Sequence, residues 1–224
     1  MELITVNQTT VFARQLRYQP TKHVVDIALC LLILPLALPI MAICALAIYL
    51  TSSGPVFFVQ ERIGKGGRPF RLYKFRTMEI DFDDSNCRAF MQAFVRGELG
   101  NEDADNEVFK PVRSSPITRV GRLLRKASLD ELPQLINVFR GEMSLVGPRP
   151  NVPWEVEVYR PWHHERLEIL PGVTGLAQVR GRSCIKFDAI VNYDIEYLET
   201  QSLILDLKIL WWTALMVIRG KHAG

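Results

Sequence analysis

An apolar run from Ile27 to Leu50 carries no charged residue, and it constrains the fold of this 224-residue chain more than any other feature. A straight α-helix over this run would be about 36 Å long, which exceeds the roughly 30 Å hydrocarbon core of a bilayer. The run begins too late in the chain and is too long for a cleaved signal peptide. The sequence therefore predicts a helix that enters a membrane.

Two prolines, Pro35 and Pro39, lie near the middle of this run, where proline removes a backbone hydrogen bond and bends a helix. Basic residues lie on both sides of the run: Arg14, Arg17, Lys22 and His23 before it, and Arg62, Lys65, Arg68, Arg71, Lys74 and Arg76 after it. A single span should leave its basic flank on one side of the membrane only. The pattern favours a re-entrant hairpin over residues 22–50 that bends at the prolines and returns to the cytoplasmic face. A kinked single span is the alternative.

The remaining sequence indicates a short N-terminal arm, residues 1–21, and a larger cytoplasmic domain, residues 51–224. We expect this domain to be of the α/β class and mostly helical. Residues 56–59 and 70–75 flank a glycine-rich stretch and predict a small β-hairpin. The stretch lacks the spacing of a phosphate-binding loop, so a plain turn is favoured. Three further segments have the spacing or composition of helices: 117–126, 132–139 and 186–199.

Three other features bear on the fold and the compartment. The segment Leu203–Ile218 predicts a helix whose Trp211-Trp212 pair suits a membrane interface, with an ordinary buried helix as the alternative. Residues 79–107 carry nine acidic and two basic residues and indicate a helix-containing insertion or a loop. The cysteines and histidines show neither a C-x-x-C pair nor zinc-ligand spacing, which indicates a reducing compartment and no zinc site.

Two adjacent carboxylates, Asp130 and Glu131, follow a stretch that contains basic residues and no acid: Lys110, Arg113, Arg119, Arg122, Arg125 and Lys126. Cations in such a cluster hold a phosphate, and arginines beside a carboxylate are expected to depress its pKa and keep it ionised. Ionised aspartate is a nucleophile, and a neighbouring glutamate is a typical Mg²⁺ ligand. The pair therefore indicates a site for a phosphate-bearing substrate.

A structural interpretation of the same residues stays open beside the catalytic one. Ser128 and Glu131 have the spacing of a capping box at the start of a helix. Pro133 would then remove a helical hydrogen bond, whereas it is tolerated if Asp130 is the N-cap instead. Capping and catalysis are compatible, and the residues alone do not separate them.

Motifs spread over nearly the whole chain are similar to those of the monotopic phosphoglycosyl transferases, the bacterial sugar transferases that begin glycan assembly on a polyprenyl phosphate. The resemblance covers roughly residues 22–220. The matching segments are the apolar run with Pro39, Gly54–Phe58, Gln60–Gly64, Tyr73–Met78, Ile117–Gly121, Ser128–Gln134, Gly141–Pro150, Pro171–Arg182 and Leu205–Lys208.

The resemblance implies a ping-pong transfer of a sugar 1-phosphate from a UDP-sugar to polyprenyl (undecaprenyl) phosphate, as the first membrane step of exopolysaccharide or other glycan assembly. Asp130 would attack the β-phosphate and release UMP, and Glu131 would bind Mg²⁺. The implied phosphate- and substrate-binding residues are Lys74, Arg76, Arg125, Pro148, Arg149, Gln178, Arg180 and Arg182. A re-entrant membrane helix agrees with the two basic flanks.

The resemblance also implies membrane lipids as partners, no nucleic acid, a homodimer as one oligomeric option, and the bacterial inner membrane with the site on its cytoplasmic face. Three departures stand out. Leu38 replaces a serine common before the bend proline, and Ala177 replaces a tryptophan common before Gln178. The N-terminal arm is short, as in the minimal form of the family.

Two rival functions remain at this point. A membrane-bound nucleotide-sugar hydrolase would use Asp130 and water, and would release UMP without a lipid acceptor. A membrane-anchored scaffold with a basic, lipid-binding surface would need neither metal nor Asp130 for activity.

Overall fold

The computed structural model describes residues 8–79, 85–98, 117–181 and 185–219. Arg182, Lys110 and Arg113 lie outside these residues. The helices are α1 (Gln8–Thr51), α2 (Ser85–Arg96), α3 (Arg119–Lys126), α4 (Leu135–Phe139), α5 (Pro153–Val156), α6 (Leu176–Gly181), α7 (Phe187–Thr200) and α8 (Leu203–Ile218). The strands are β1 (Phe57–Ile63), β2 (Pro69–Phe75), β3 (Ser144–Val146) and β4 (Gly172–Thr174). Short 3₁₀ helices cover Lys65–Gly67, Leu129–Gln134 and Pro161–Glu168.

Helix α1 confirms the predicted long apolar helix. It runs without interruption through Pro20, Pro35 and Pro39, so the prolines do not end the helix. In the described part of the chain, one helix is long and apolar enough to cross a membrane, the stretch Tyr18–Thr51 of α1. Large apolar side chains along it are exposed, among them Leu32 and Leu36. This exposure makes membrane association plausible, because a contiguous apolar surface is unfavourable in water.

The predicted β-hairpin is present, with β1 and β2 paired antiparallel from Phe57 opposite Phe75 to Ile63 opposite Pro69. Its turn contains Gly66 at φ 66° and Gly67 at φ 74°, values that favour glycine. The amide of Gly67 donates to the carbonyl of Gly64 at 3.1 Å. The turn thus bonds within itself, as a plain turn does.

A second sheet, which the sequence did not predict, joins β3 and β4 in parallel. Its strands are three residues long and largely buried. The two chains approach so closely that a Cβ on Gly172 would lie 2.1 Å from the nitrogen of Gly147. Glycine is therefore required here, and the sheet fixes where the irregular segment 147–151 leaves the core.

Helix α4 connects the hairpin to this core through Asn137, which is fully buried. Its side-chain amide donates to the carbonyl of Arg71 at 2.6 Å and to Glu142 at 2.7 Å, and its oxygen accepts from the amide of Tyr73 at 3.2 Å. A buried amide satisfied this fully holds its neighbours in one arrangement. Strand β2 is thus held against the segment that bears the acidic pair.

Both apolar and polar contacts attach α1 to the domain. Near its start, Lys22 contacts Asp206 of α8 at 2.6 Å, and Tyr18 and Tyr197 donate to the same carboxylate at 2.5 and 2.6 Å. Asp26 accepts a hydrogen bond from Ser144 of β3 at 2.6 Å. We call Tyr18, Lys22, Asp26, Ser144, Tyr197 and Asp206 the α1–α8 polar cluster.

Helix α8 matches parts of both expectations for the C-terminal segment. Asp206 and Ile209 are buried against the domain, while Trp211, Leu207 and Ile218 expose more than half of their surface. One face packs on the core, and another presents apolar and indole groups of the kind found at membrane interfaces.

Candidate active site

The acidic pair lies in the 3₁₀ helix Leu129–Gln134 between α3 and α4. The predicted capping box is absent: Ser128 has a left-handed backbone at φ 53° and its side chain makes no capping hydrogen bond. The helix begins at Leu129, so Asp130 is not its N-cap either. Glu131 cannot reach back to cap the helix, because its carboxylate is held by cations from other elements.

Two of those cations reach the same oxygen of Glu131. Lys74 of β2 lies 2.8 Å from Oε1, and Arg149 lies 3.2 Å from it. Burial alone would raise the pKa of Glu131, but Arg149 and Lys74 outweigh burial and lower the pKa to about 2. Burial also lowers the pKa of Lys74, so the cluster stabilises the fold by less than the shift on Glu131 alone would indicate. Glu131 is ionised at neutral pH.

Asp130 differs from its neighbour. Burial and the adjacent charge of Glu131 raise the pKa of Asp130 above its ordinary range, against the opposing effects of Lys74, Arg125 and Arg149. The expectation that arginines would depress the pKa of Asp130 is therefore wrong, because desolvation of the carboxylate exceeds their attraction. Among the described residues, the carboxylate of Asp130 has no hydrogen bond or ion pair.

Arg125 comes to the pair from α3, whose start is capped by Thr118. The Nε of Arg125 donates to the hydroxyl of Thr77 at 2.9 Å. This bond orients its guanidinium, whose charge acts on Asp130. The fold thus brings together Asp130, Glu131, Lys74, Arg125 and Arg149 from three separate parts of the sequence.

Arg76 does not join this group. It is 6% exposed, and its guanidinium donates to the carbonyls of Ser53 and Ser52 at 2.6 and 3.0 Å, where α1 ends. Cations satisfy the free carbonyls at a helix C-terminus. The contacts of Arg76 thus differ from the predicted substrate contact: they lie at the C-terminal end of helix α1.

The predicted substrate-binding residues Gln178 and Arg180, which follow β4, lie in different surroundings. Gln178 has a buried Oε1 without a hydrogen-bond partner among the described residues, and a Cβ on Gly175 would lie 3.1 Å from that oxygen and 2.3 Å from the carbonyl of Gly147. Gln178 therefore borders the segment that carries Arg149. Arg180 instead faces α7, where it pairs with Glu196 at 2.6 Å.

A small open cleft of about 10 Å³, room for roughly one water molecule, lies beside Lys74 and Arg149. It is lined by Arg62, Leu72, Lys74, Gln134, Arg149, Pro150 and Gly172. Its volume falls far below the roughly 300–1,000 Å³ of pockets that enclose a small ligand, so the cleft by itself does not enclose a substrate. Three cations line it. Arg62 was predicted only as part of a basic flank; its position in the motif Gln60–Gly64 was the available signal.

The donor set fits a magnesium ion that is shared with substrate. No group of three or more His, Cys, Asp or Glu side chains able to hold a metal occurs in the described part of the chain. Mg²⁺ is commonly held by one or two carboxylates together with substrate phosphates and water. Glu131 would supply one such carboxylate, although Lys74 and Arg149 already contact its Oε1.

Sequence comparison shows which known proteins this chain is similar to. A model of the family described as bacterial sugar transferase matches residues 17–220. A UDP-glucose:undecaprenyl-phosphate glucose-1-phosphate transferase of Caulobacter vibrioides is 40% identical over 210 residues, which cover 90% of this chain and 71% of that protein. The exopolysaccharide production protein ExoY of Rhizobium meliloti is 40% identical over 197 residues, covering 86% of this chain and 82% of that protein.

Some relatives are much longer. The undecaprenyl-phosphate galactose phosphotransferase of Salmonella typhimurium is 37% identical over 207 residues, but the chain covers only 41% of it. The chain thus spans about two fifths of the length of such relatives and most of the length of others. Because the family match extends over nearly all described elements, the protein belongs to the bacterial sugar transferase family.

Proposed function

We propose that the protein transfers a sugar 1-phosphate from a UDP-sugar to undecaprenyl phosphate, and that Asp130 forms a covalent phosphosugar intermediate. The observation that carries this proposal is the division between the two carboxylates. Glu131 is held by Lys74 and Arg149, whereas Asp130 has no such partner among the described residues. A nucleophile needs an accessible oxygen that is not already committed to an ion pair.

In the first step, a carboxylate oxygen of Asp130 attacks the β-phosphorus of the UDP-sugar. The bond between that phosphorus and the bridging oxygen breaks, and the electron pair leaves with UMP. In the second step, a phosphate oxygen of undecaprenyl phosphate attacks the same phosphorus. The aspartyl–phosphate bond breaks, the lipid diphosphate sugar forms, and the carboxylate of Asp130 is restored.

The surrounding cations support both steps. Lys74, Arg125 and Arg149 offset the negative charge of the phosphates and of the transferred group. Asp130 is partly desolvated, so fewer waters must be displaced before it attacks. Mg²⁺, held by Glu131 and substrate phosphates, would supply further charge neutralisation on the diphosphate.

The contacts of α1 support a re-entrant arrangement, and the basic flanks on both sides of its apolar run favour the cytoplasmic face of the inner membrane. Lys22, before the apolar run, contacts Asp206, and Ser52, after the run, contacts Arg76 at 2.6 Å. Asp206 and Arg76 belong to the same folded domain. A helix that crossed the bilayer once would place Lys22 and Ser52 on opposite faces, about 30 Å apart.

Topology labelling tests this arrangement. We expect single cysteines introduced at each terminus of a variant lacking the native cysteines to react with a membrane-impermeant maleimide in inverted vesicles and to be protected in intact spheroplasts. Both termini then lie on the cytoplasmic side. Labelling of the N-terminus in spheroplasts would show a single span and contradict the hairpin.

A UMP-release assay tests the function. We expect purified protein in lipid nanodiscs, with Mg²⁺ and either UDP-glucose or UDP-galactose, to release UMP over many turnovers only when undecaprenyl phosphate is present. Donor alone should yield at most about one UMP per enzyme, and EDTA should stop turnover. Sustained UMP release without the lipid would identify a hydrolase. Absence of release across a panel of UDP-sugars would favour a scaffold.

A further inference from the structure

The segment 147–151, which carries Arg149, is held by hydrogen bonds to four successive backbone carbonyls. The carbonyl of Pro148 accepts from the amide of Gly172 at 2.9 Å, and that of Asn151 accepts from the amide of Ile63 at 2.9 Å. The two carbonyls between them, those of Arg149 and Pro150, are bound by arginine side chains. An irregular segment is thus fixed at every residue from Pro148 to Asn151.

The first of these arginines is Arg166, which is 2% exposed. Its Nη2 donates to the carbonyl of Arg149 at 3.1 Å, and its Nη1 donates to the side chain of Asn151 at 2.8 Å and to the hydroxyl of Tyr159 at 2.9 Å. It also forms an ion pair with Asp194 of α7 at 2.6 Å. Arg166 thereby connects the backbone of Arg149 to a helix in the core.

The second arginine is Arg62, at the end of β1. Its Nη1 donates to the carbonyl of Pro150 at 3.0 Å, and its Nη2 donates to Gln60 at 2.6 Å. No carboxylate lies within ion-pair distance of Arg62 among the described residues. Burial, followed by repulsion from Arg149, lowers the pKa of Arg62 to about 10.

A neutral donor is sufficient to bind a backbone carbonyl, and burying a cation is unfavourable. The two guanidiniums on the adjacent carbonyls of Arg149 and Pro150 therefore indicate that they fix the position of this backbone for the function of the site, and not only to stabilise the fold. The side chain of Arg149 is half exposed, and its Nη1 lies 3.2 Å from Oε1 of Glu131. The planar, multi-donor guanidinium suits such a fixed contact, whereas lysine offers a point charge.

We propose that Arg62 and Arg166 are positioning residues, which hold the backbone of Arg149 so that its guanidinium meets Glu131 and the substrate phosphate. The proposal rests on the function proposed above. Neither residue forms an ion pair or hydrogen bond with the acidic pair. They act through Arg149 and not on the reacting atoms.

A double-mutant cycle in the UMP-release assay tests this proposal. The variants are Arg62→Lys, Arg149→Lys and the double variant, with Arg68→Lys, an exposed arginine of the same hairpin, as the matched control. A displacement of a catalytic group by about 1 Å costs roughly 100-fold, so we expect Arg62→Lys to lower kcat/KM by roughly 10- to 100-fold. The double variant should be no slower than Arg149→Lys by more than about threefold, because residues that act as one unit are non-additive.

Two results would overturn the proposal. One is unchanged kinetics in folded Arg62→Lys, and the other is multiplication of the two single effects in the double variant. If Arg62→Lys does not fold, Arg166→Lys enters the same cycle, and failure of both to fold would assign the two arginines to stability alone. Lack of UMP release by the wild type would instead refute the proposed function, so the two failures are distinguishable.

Discussion

Asp130→Asn is expected to lose UMP release by a factor on the order of 10⁴ or more, as losses of covalent nucleophiles do. An amide carries no charge and does not form the acyl phosphate. The fold should not suffer. Because the folded-state pKa of Asp130 is raised, its charged form opposes folding at neutral pH, and a neutral amide of the same shape removes that cost. The melting temperature of the variant should equal or exceed that of the wild type.

Intact-protein mass spectrometry makes this prediction specific. After incubation with a UDP-sugar and no lipid, the wild type should gain the mass of a phosphosugar, and Asp130→Asn should gain none. Glu199→Gln, which neutralises an exposed carboxylate on α7, is the control and should behave as the wild type. Near-normal turnover by Asp130→Asn would refute its role as nucleophile.

Lys22→Met is expected to lower the free energy of unfolding by roughly 3–5 kcal/mol, more than any other substitution proposed for this protein. Lys22 is 5% exposed and lies between two buried carboxylates, 2.6 Å from Asp206 and 3.9 Å from Asp26. Methionine fills a similar volume but leaves both carboxylates without a cation. We expect a clear fall in melting temperature and less protein recovered in membranes.

The double variant Lys22→Met/Asp206→Asn separates charge from packing. The two tyrosine hydroxyls donate to different oxygens of Asp206, and asparagine keeps an acceptor for one of them and removes one uncompensated charge, so part of the lost stability should return. Lys65→Met, at an exposed position in the hairpin turn, should leave the melting temperature unchanged. A double variant less stable than Lys22→Met alone would show that the α1–α8 polar cluster does not stabilise the protein through its charges.

Secondary structure followed from the sequence wherever an element carries its own pattern. The helix α3, the hairpin and α7 lie where periodicity and turn residues indicated them. The sheet of β3 and β4 was missed, because strands of three residues are too short to show alternation and pair with a segment distant in the chain. The capping box between Ser128 and Glu131 did not form for a related reason: the carboxylate of Glu131 forms ion pairs with Lys74 and Arg149, which are distant in the chain.

The site followed from the sequence only in part. Asp130 and Glu131 are adjacent in the chain, so their proximity needed no fold. Lys74 and Arg149 were predicted by resemblance, and the fold does place both on Glu131. Two other basic residues that were predicted to bind substrate make different contacts: Arg76 donates to carbonyls just after α1, and Arg180 pairs with Glu196 of α7. The roles of Arg62 and Arg166 depend on carbonyls that come near only after folding.

The sequence by itself determined that a long apolar helix precedes a mostly helical domain, that two carboxylates stand together, and that the chain resembles sugar transferases. These features depend on composition, periodicity and adjacency. Only the tertiary structure decided which carboxylate is ion-paired and which is left available, because that depends on burial and on cations contributed by β2 and by segment 147–151. Desolvation and charge act through space, and neighbours in space are not neighbours in sequence.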